Sequence, residues 1–237
     1  MQMPAHASIE AAKTTAISSG NAMMVISVSN RDFSSDFLER AIPMLLQRHA
    51  LVRVLIADEL MIYNRFDTSL APERAAASLA QHRHDRHRQL ARIIEPLPDA
   101  QRVEVASYED FCDAGYARIL RRLLLLAHSD RHVMEKLESI ALAYLDTSAD
   151  DCDFRMAASI YYLIDETAWT MNLAANYGMS DNYYPGDVGK ILRIFYCDSY
   201  EYDLFAHLGV ARHTHRFWRL NESARGLAPQ MIWAHEN

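Results

Sequence analysis

Residues 22–37, with the sequence AMMVISVSNRDFSSDF, decide the fold. The apolar run 23–26 is typical of a strand that is buried on both faces of a parallel sheet. It ends at Ser27, and a helical pattern with an apolar stripe begins near residues 34–35. Open α/β sheets bind their ligands beyond the carboxyl ends of the strands. Ser27 is therefore expected at a functional edge of the sheet, although a serine there can equally form a turn or cap the helix.

The composition indicates a globular protein. Of the 237 residues half are hydrophobic, and Gly and Pro number seven each. The three cysteines are far apart in the sequence, so neither a disulfide framework nor a zinc site is expected. This cysteine usage predicts a location in the reducing cytoplasm. Residues 1–20 have no secretory-signal pattern and are interpreted as a disordered leader, with 21–237 as one domain. The longest apolar run, 123–127, is too short to span a bilayer, so no membrane partner is expected.

The remaining chain predicts alternating strands and helices. Strands are expected at 51–57 and 103–105, and helices at 72–92, 111–126, 131–145, 153–178 and 188–207. Residues 182–187 (NYYPGD) are predicted as a turn, and residues 212–237 are expected to pack against the core. The helical periodicity marks these residues as core candidates: Leu120, Leu123, Leu124, Ile140, Leu142, Phe154, Met156, Ile160, Ile164 and Met171.

A basic stretch lies at residues 82–92, where four arginines stand against one aspartate. The net charge of −7 argues against a general nucleic-acid binder, and no DNA partner is expected, but a local patch can still bind phosphate. A solvated helix end is the simpler interpretation. The histidines of the stretch lack the spacing of metal ligands, so no metal is expected. The candidate phosphate ligands are Arg83, Arg86, Arg88 and Arg92.

Tyr162 and Glu166 stand four residues apart on the predicted helix 153–178, so both project from one helical face. Such a pair is common on any helix surface. It is also suited to hold an α-ammonium group, because the carboxylate supplies charge and the phenol supplies orientation. The residues alone leave both interpretations open.

Three stretches together resemble the motifs of the tRNA-dependent cyclodipeptide synthases. In chain order they are Ser27-x-x-Asn30-x-x-Phe33-Ser34, Tyr162-x-x-x-Glu166, and Tyr184-Pro185 with Asp187 at the third position after the tyrosine. The chain departs from the family at Val25, where the family usually has glycine. Tyr184-Pro185 matches one subgroup of the family, whereas Asn30 is more typical of the other.

This resemblance implies a mostly parallel Rossmann-like α/β sheet flanked by helices, similar to the catalytic domain of class I aminoacyl-tRNA synthetases. It implies a monomer without cofactors that joins two aminoacyl groups from charged tRNAs into a diketopiperazine. The implied ping-pong mechanism passes through aminoacyl-enzyme and dipeptidyl-enzyme esters on Ser27. The chain has neither a HIGH nor a KMSKS sequence, so its substrates are expected to arrive already charged.

The resemblance also implies roles for the site residues. Tyr162 and Glu166 would hold the ammonium group of the first residue, and Tyr184 would relay a proton. Asn30 and Asp187 would contact substrate, and the basic stretch would contact tRNA. Two other functions remain open at this stage, namely a non-catalytic RNA-binding protein on the same scaffold and a serine acyltransferase or hydrolase.

The side-chain pocket for the first residue is expected near the strand ends. Met23, Val25 and Leu55 are the predicted wall of this pocket, and they favour an aliphatic or otherwise modest side chain.

Overall fold

The computed structural model describes residues 20–26, 32–57, 72–143, 152–185, 204–211, 214–223 and 226–235. Ser27, Asn30 and Asp187 lie outside these ranges, as does most of the predicted helix 188–207. The described strands are β1 (Ala22–Ile26), β2 (Val52–Ile56), β3 (Val103–Ser107), β4 (Asp181–Tyr184), β5 (His215–Ser223) and β6 (Gly226–His235). The described helices are α1 (Ser35–Leu46), α2 (Pro72–Ile94), α3 (Ala114–Ser129), α4 (Arg131–Leu142), α5 (Cys152–Tyr177) and α6 (Leu204–Leu208).

The described strands form one sheet in the order β3-β2-β1-β4-β5-β6. The first five strands of this order run parallel, and β6 pairs antiparallel with β5. The chain therefore moves outward from β1 to β2 and β3, and then returns to the other side of β1 with β4. This order is that of a Rossmann-type sheet, and it places the switch point between β1 and β4. The fold class predicted from the sequence is confirmed.

β1 is buried on both faces, as its continuous apolar run predicts. The exposed fraction of its residues lies between 0% and 6%. Met24 and Ile26 pack in the cluster that contains the apolar stripe of α1. Met23 and Val25 face the opposite side and pack in the cluster that contains Trp169 of α5. Helices thus cover both faces of the central strand.

The caps of α1 and α5 follow the local sequence. The Ser34 side chain accepts a hydrogen bond from the backbone N–H of Phe37 at 3.2 Å, which satisfies one of the free donors at the start of α1. α5 ends before Gly178, whose φ of +66° is the left-handed conformation that glycine adopts most easily. The predicted start of the first helix and the predicted end of the long helix are therefore confirmed.

β4 is held in the sheet by a buried carboxylate. Asp181 is fully buried, and its two oxygens accept hydrogen bonds from the guanidinium of Arg216 at 2.8 and 2.7 Å. The indole N–H of Trp218 donates to the same carboxylate at 2.7 Å. Because both partners come from β5, the paired charge fixes β4 against β5 as well as satisfying the aspartate.

The structure corrects two expectations for the last third of the chain. Residues 182–187 are predicted as a turn, but Asp181–Tyr184 is a strand between β1 and β5. Residues 212–237 supply the strands β5 and β6, and in them Phe217 is buried whereas Met231 is 49% exposed. The turn prediction fails because the partners of Asp181 are more than 30 residues away in sequence, where a local pattern cannot detect them.

Two of the predicted core residues are on the surface. Leu142 and Phe154 are each 46% exposed. Both lie at helix ends, Leu142 as the last residue of α4 and Phe154 in the first turn of α5. Apolar periodicity identifies a helical face but does not show how far along the helix its neighbours extend, so terminal residues are predicted least well.

Candidate active site

At the switch point, the described structure contains the ends of β1 and β4. β1 ends at Ile26, and Ser27, which follows it in the sequence, lies outside the described residues. β4 is the parallel neighbour of β1, and it ends at Tyr184. Because parallel strands end at the same edge, the ends of β1 and β4 border the crevice in which such sheets bind ligands.

Phe33 connects this edge to the start of α1. Its side chain is fully buried, and its ring packs edge-on against the ring of Tyr184, with a centroid distance of 5.1 Å. The same Phe33 ring also packs against Phe37 in the first turn of α1 at 5.8 Å. Tyr184 is thus held against the segment that joins the serine motif to α1.

Tyr162 and Glu166 lie side by side on α5, as their spacing predicts. Their side chains are hydrogen-bonded to each other, and both residues are half-buried. Tyr162 packs against the cluster that contains Val25, and it lies close enough to Tyr184 for the two phenols to influence each other electrostatically. The structure therefore places Tyr162 beside Glu166, within electrostatic reach of Tyr184 and against the cluster that contains Val25.

The environment of the pair favours its neutral forms. Burial is the main reason why the pKa of Glu166 rises from its ordinary value of 4.5 to about 7; the hydrogen bond from Tyr162 acts to lower the pKa, and the negative charge of Asp165 acts to raise it. Burial and the nearby Glu166 raise the pKa of Tyr162 as well, so it remains a phenol at neutral pH. A carboxyl with a pKa near 7 can both accept and release a proton under physiological conditions.

The three predicted pocket residues belong to one cluster. Met23 and Leu55 are fully buried, and Val25 is 6% exposed. All three pack in the cluster with Tyr108 and Trp169, beneath the end of β1. These aromatic residues could not be predicted from the local pattern, because they come from other segments of the chain.

Asp165 is a functional candidate that the sequence analysis missed. It is 7% exposed, and its Oδ1 accepts hydrogen bonds from the hydroxyl groups of Tyr108 and Tyr116. Its position beside Glu166 was visible in the sequence, but a one-residue step along a helix turns the side chain by about 100°. The side chain of Asp165 is held by two tyrosines that lie 57 and 49 residues away in the sequence, so the local pattern does not show that it is buried.

The four arginines of the basic stretch differ in their surroundings. Arg83 forms an ion pair with Glu109 at 3.2 Å, and Arg86 donates to the backbone oxygen of Phe33 at 2.7 Å. Burial lowers the pKa of Arg86 below its ordinary value. Arg88 and Arg92 are exposed on α2. Arg83 and Arg86 therefore attach α2 to the segments beside the site, whereas the other two side chains face solvent.

The described residues contain no group of three His, Cys, Asp or Glu side chains placed to hold a metal ion. Over the same ranges, no helix combines the length and the apolar character needed to cross a bilayer.

The solved structures similar to this chain include several cyclodipeptide synthases. AlbC from Streptomyces noursei has 18% sequence identity and a TM-score of 0.59, with 78% of this chain and 90% of that chain covered. A synthase from Fluoribacter dumoffii has 15% identity and a TM-score of 0.64, with coverages of 79% and 84%. A protein from Mycobacterium tuberculosis, described as demonstrating that cyclodipeptide synthetases are related to type I tRNA synthetases, has 16% identity and a TM-score of 0.65, with coverages of 78% and 80%.

These similarities define the class of the fold. It is a Rossmann-like α/β fold with the arrangement found in cyclodipeptide synthases, as the three sequence motifs predicted. No protein-family model and no curated protein sequence matches the chain.

The raised pKa of Glu166 predicts a pH-dependent stability. Between pH 4.5 and about 7 the unfolded chain releases this proton before the folded protein does, so the wild type loses stability as the pH rises. Glu166→Gln remains neutral, and relative to wild type it should gain up to about 3 kcal/mol in unfolding free energy between pH 4 and pH 8. Urea unfolding at the two pH values measures this gain.

Glu135→Gln is the matched control, because Glu135 is an exposed carboxylate on α4 paired with Arg131. It should show no comparable gain. If the stability difference between Glu166→Gln and wild type were the same at both pH values, the raised pKa would be contradicted.

Proposed function

We propose that this chain is a cyclodipeptide synthase that joins the aminoacyl groups of two charged tRNAs, with residues 21–237 as one catalytic unit. The observation that supports the proposal is the pairing of Tyr162 with Glu166, within electrostatic reach of Tyr184 and against the cluster that contains Val25 of β1. The fold shared with cyclodipeptide synthases supports it. A hydrolase or a passive RNA-binding protein would need no paired carboxyl and phenol at this position.

In the first step, Ser27 Oγ attacks the ester carbonyl of one aminoacyl-tRNA. The bond between that carbonyl carbon and the ribose oxygen breaks, and the proton of the serine passes to the ribose hydroxyl. The aminoacyl group remains as an ester on Ser27. Because the substrate ester is already activated, the protein mainly has to position it and to manage protons.

In the second step, the α-ammonium group of the bound residue lies against the hydrogen-bonded pair of Tyr162 and Glu166. Glu166 as a carboxylate takes a proton from this group, which its pKa of about 7 allows. The free amine attacks the ester of the second aminoacyl-tRNA, and the second ribose hydroxyl leaves with the remaining proton. A dipeptidyl ester on Ser27 results.

In the last step, the terminal amine of the dipeptide attacks the ester that joins it to Ser27. A second amide bond forms, the ester bond to Oγ breaks, and the ring is released as a diketopiperazine. Tyr184 relays the proton from the amine to Ser27 Oγ, since it lies at the end of the strand next to β1 and close to Tyr162.

Further residues complete the proposed substrate sites. Asn30 and Asp187 contact the substrates in this scheme. Met23, Val25 and Leu55 form the wall of the first side-chain pocket in this scheme, and all three are apolar and buried. The first residue is therefore expected to have an aliphatic or otherwise modest side chain.

The nucleophile can be tested by trapping the first intermediate. Incubation with a single type of radiolabelled aminoacyl-tRNA should leave the label on the protein in an ester bond, which mild alkali or hydroxylamine releases. Ser27→Ala should reduce labelling to background, because no other group in the scheme can form the ester. Ser29→Ala is the matched control in the same segment, and it should label normally. Labelling that survives in Ser27→Ala and is lost in Ser29→Ala would contradict the assignment.

The tRNA surface can be tested through its salt dependence. Arg88 and Arg92 are the exposed members of the basic stretch, so Arg→Ala at each should weaken binding of different tRNAs to a similar degree. Each lost phosphate contact should reduce the slope of log affinity against log salt by roughly 0.7–0.9. Filter binding of charged tRNA over a salt series measures both quantities.

The control for this test is Arg131→Ala, because Arg131 is a highly exposed arginine outside the basic stretch. Arg83 and Arg86 remain proposed phosphate ligands, but replacing them also removes their contacts with Glu109 and Phe33. Slopes for Arg88→Ala and Arg92→Ala equal to those of wild type and Arg131→Ala would identify this part of α2 as an ordinary solvated surface.

A further inference from the structure

Asp165 carries a negative charge into the interior next to the proposed catalytic pair. The side chain is 7% exposed, and the hydroxyl groups of Tyr108 and Tyr116 donate to the same oxygen, the latter at 2.5 Å. Hydrogen bonds from neutral donors are what allows a carboxylate to remain charged away from water. The two phenols, whose oxygens lie 2.8 Å from each other, therefore form a built site for this carboxyl group.

The two donors are themselves fixed. The ring of Tyr108 packs against that of Trp169 with a centroid distance of 5.1 Å, and the indole N–H of Trp169 donates to the backbone oxygen of Tyr108 at 3.2 Å. One turn further along α5, the side chain of Asn172 donates to the backbone oxygen of Phe111 at 3.1 Å. These contacts attach one face of α5 to residues 108–116 and leave little freedom at Asp165.

Glu166 follows Asp165 directly, so two carboxyl groups stand on neighbouring faces of the same helical turn. Among the described residues, the groups that act on Glu166 are Tyr162, which donates a hydrogen bond to it, and Asp165, whose charge raises the pKa of Glu166. Tyr184 of β4 acts on Tyr162, while Tyr108 and Tyr116 act on Asp165. The negative charge of Asp165 therefore disfavours ionisation of Glu166.

We propose that Asp165 is a positioning residue that acts through Glu166, holding a fixed negative charge which makes Glu166 the proton acceptor for the substrate amine. This role rests on the proposed function, since it presupposes an α-ammonium group beside Glu166. The step is a proton transfer from the ammonium nitrogen to a Glu166 oxygen, which leaves a neutral amine ready to attack an ester. Without the charge of Asp165, Glu166 would still bind the ammonium group, but as a weaker base it would take the proton less readily.

The coupling between the two carboxyls can be measured on the protein without substrate. The infrared band of the protonated Glu166 carboxyl, assigned by its loss in Glu166→Gln, reports the protonation of this residue as the pH is varied. Asp165→Asn keeps the shape and an acceptor for the tyrosines but removes the charge. The midpoint of the Glu166 titration should therefore fall below that of wild type.

The same variant should change the kinetics in a way that loss of structure alone would not. The rising limb of the pH profile of turnover should move to lower pH by the same amount as the infrared midpoint, with a lower plateau because Glu166 has become a weaker base. Asp113→Asn is the matched control, because Asp113 binds Tyr177 and Asn172 in the same interface but is not a neighbour of Glu166. In Asp113→Asn, both the midpoint of the Glu166 titration and the pH profile of turnover should remain those of wild type.

A second variant covers the case in which Asp165→Asn does not fold. Tyr116→Phe removes one of the two hydrogen bonds that stabilise the charge of Asp165, so the Glu166 midpoint should move in the same direction by a smaller amount. An unchanged midpoint in every folded variant would overturn the proposal, whatever the protein catalyses. A shifted midpoint in a protein that forms no cyclic dipeptide would instead retain the coupling and refute the proposed function.

Discussion

The complete burial of β1 is the constraint on which the site depends. With helices on both faces of this strand, a polar side chain in it would need a buried partner, and its five residues are all apolar. The first place where the chain can offer chemistry is the residue after Ile26. The return of the chain to β4, on the free side of β1, places a second strand end at the same level. Sheet topology thus places the end of β1 beside Tyr184 before any contact between side chains is considered.

α5 contributes Tyr162 and Glu166 to the candidate site. This helix is largely buried, although it contains several polar side chains. The hydroxyl groups of Thr167 and Thr170 donate hydrogen bonds to backbone oxygens one turn earlier, with an oxygen–oxygen distance of 2.7 Å in each case. Asp165 and Asn172 instead bond to residues 108–116. These hydrogen bonds satisfy the four polar side chains and hold α5 in place. The positions of Glu166 and Tyr162 on the helix are fixed with it. The geometry of the pair is therefore a property of the whole interface between α5 and its neighbours.

The sequence allows a good prediction of the parts that depend on local pattern. The apolar run of β1, the serine cap of α1 and the four-residue spacing of Tyr162 and Glu166 each have a local physical cause, and the structure has all three. β4 could not be predicted in this way, because its sequence resembles a turn and its strand is fixed by Arg216 and Trp218. The role of Asp165 was equally hidden, since it depends on Tyr108 and Tyr116 from a distant segment. Ser27, Asn30 and Asp187 stay predictions, because they lie outside the described residues.

The most direct test of the central claim is to look for the product. Purified protein would be incubated with pairs of charged tRNAs, without ATP and without any synthetase, and the mixture examined by liquid chromatography and mass spectrometry. We expect a cyclic dipeptide whose mass equals two amino acids less two molecules of water, formed from charged tRNA and absent when the tRNA is uncharged. Intact aminoacyl-tRNAs, or free amino acids as the sole product across all pairs, would contradict it.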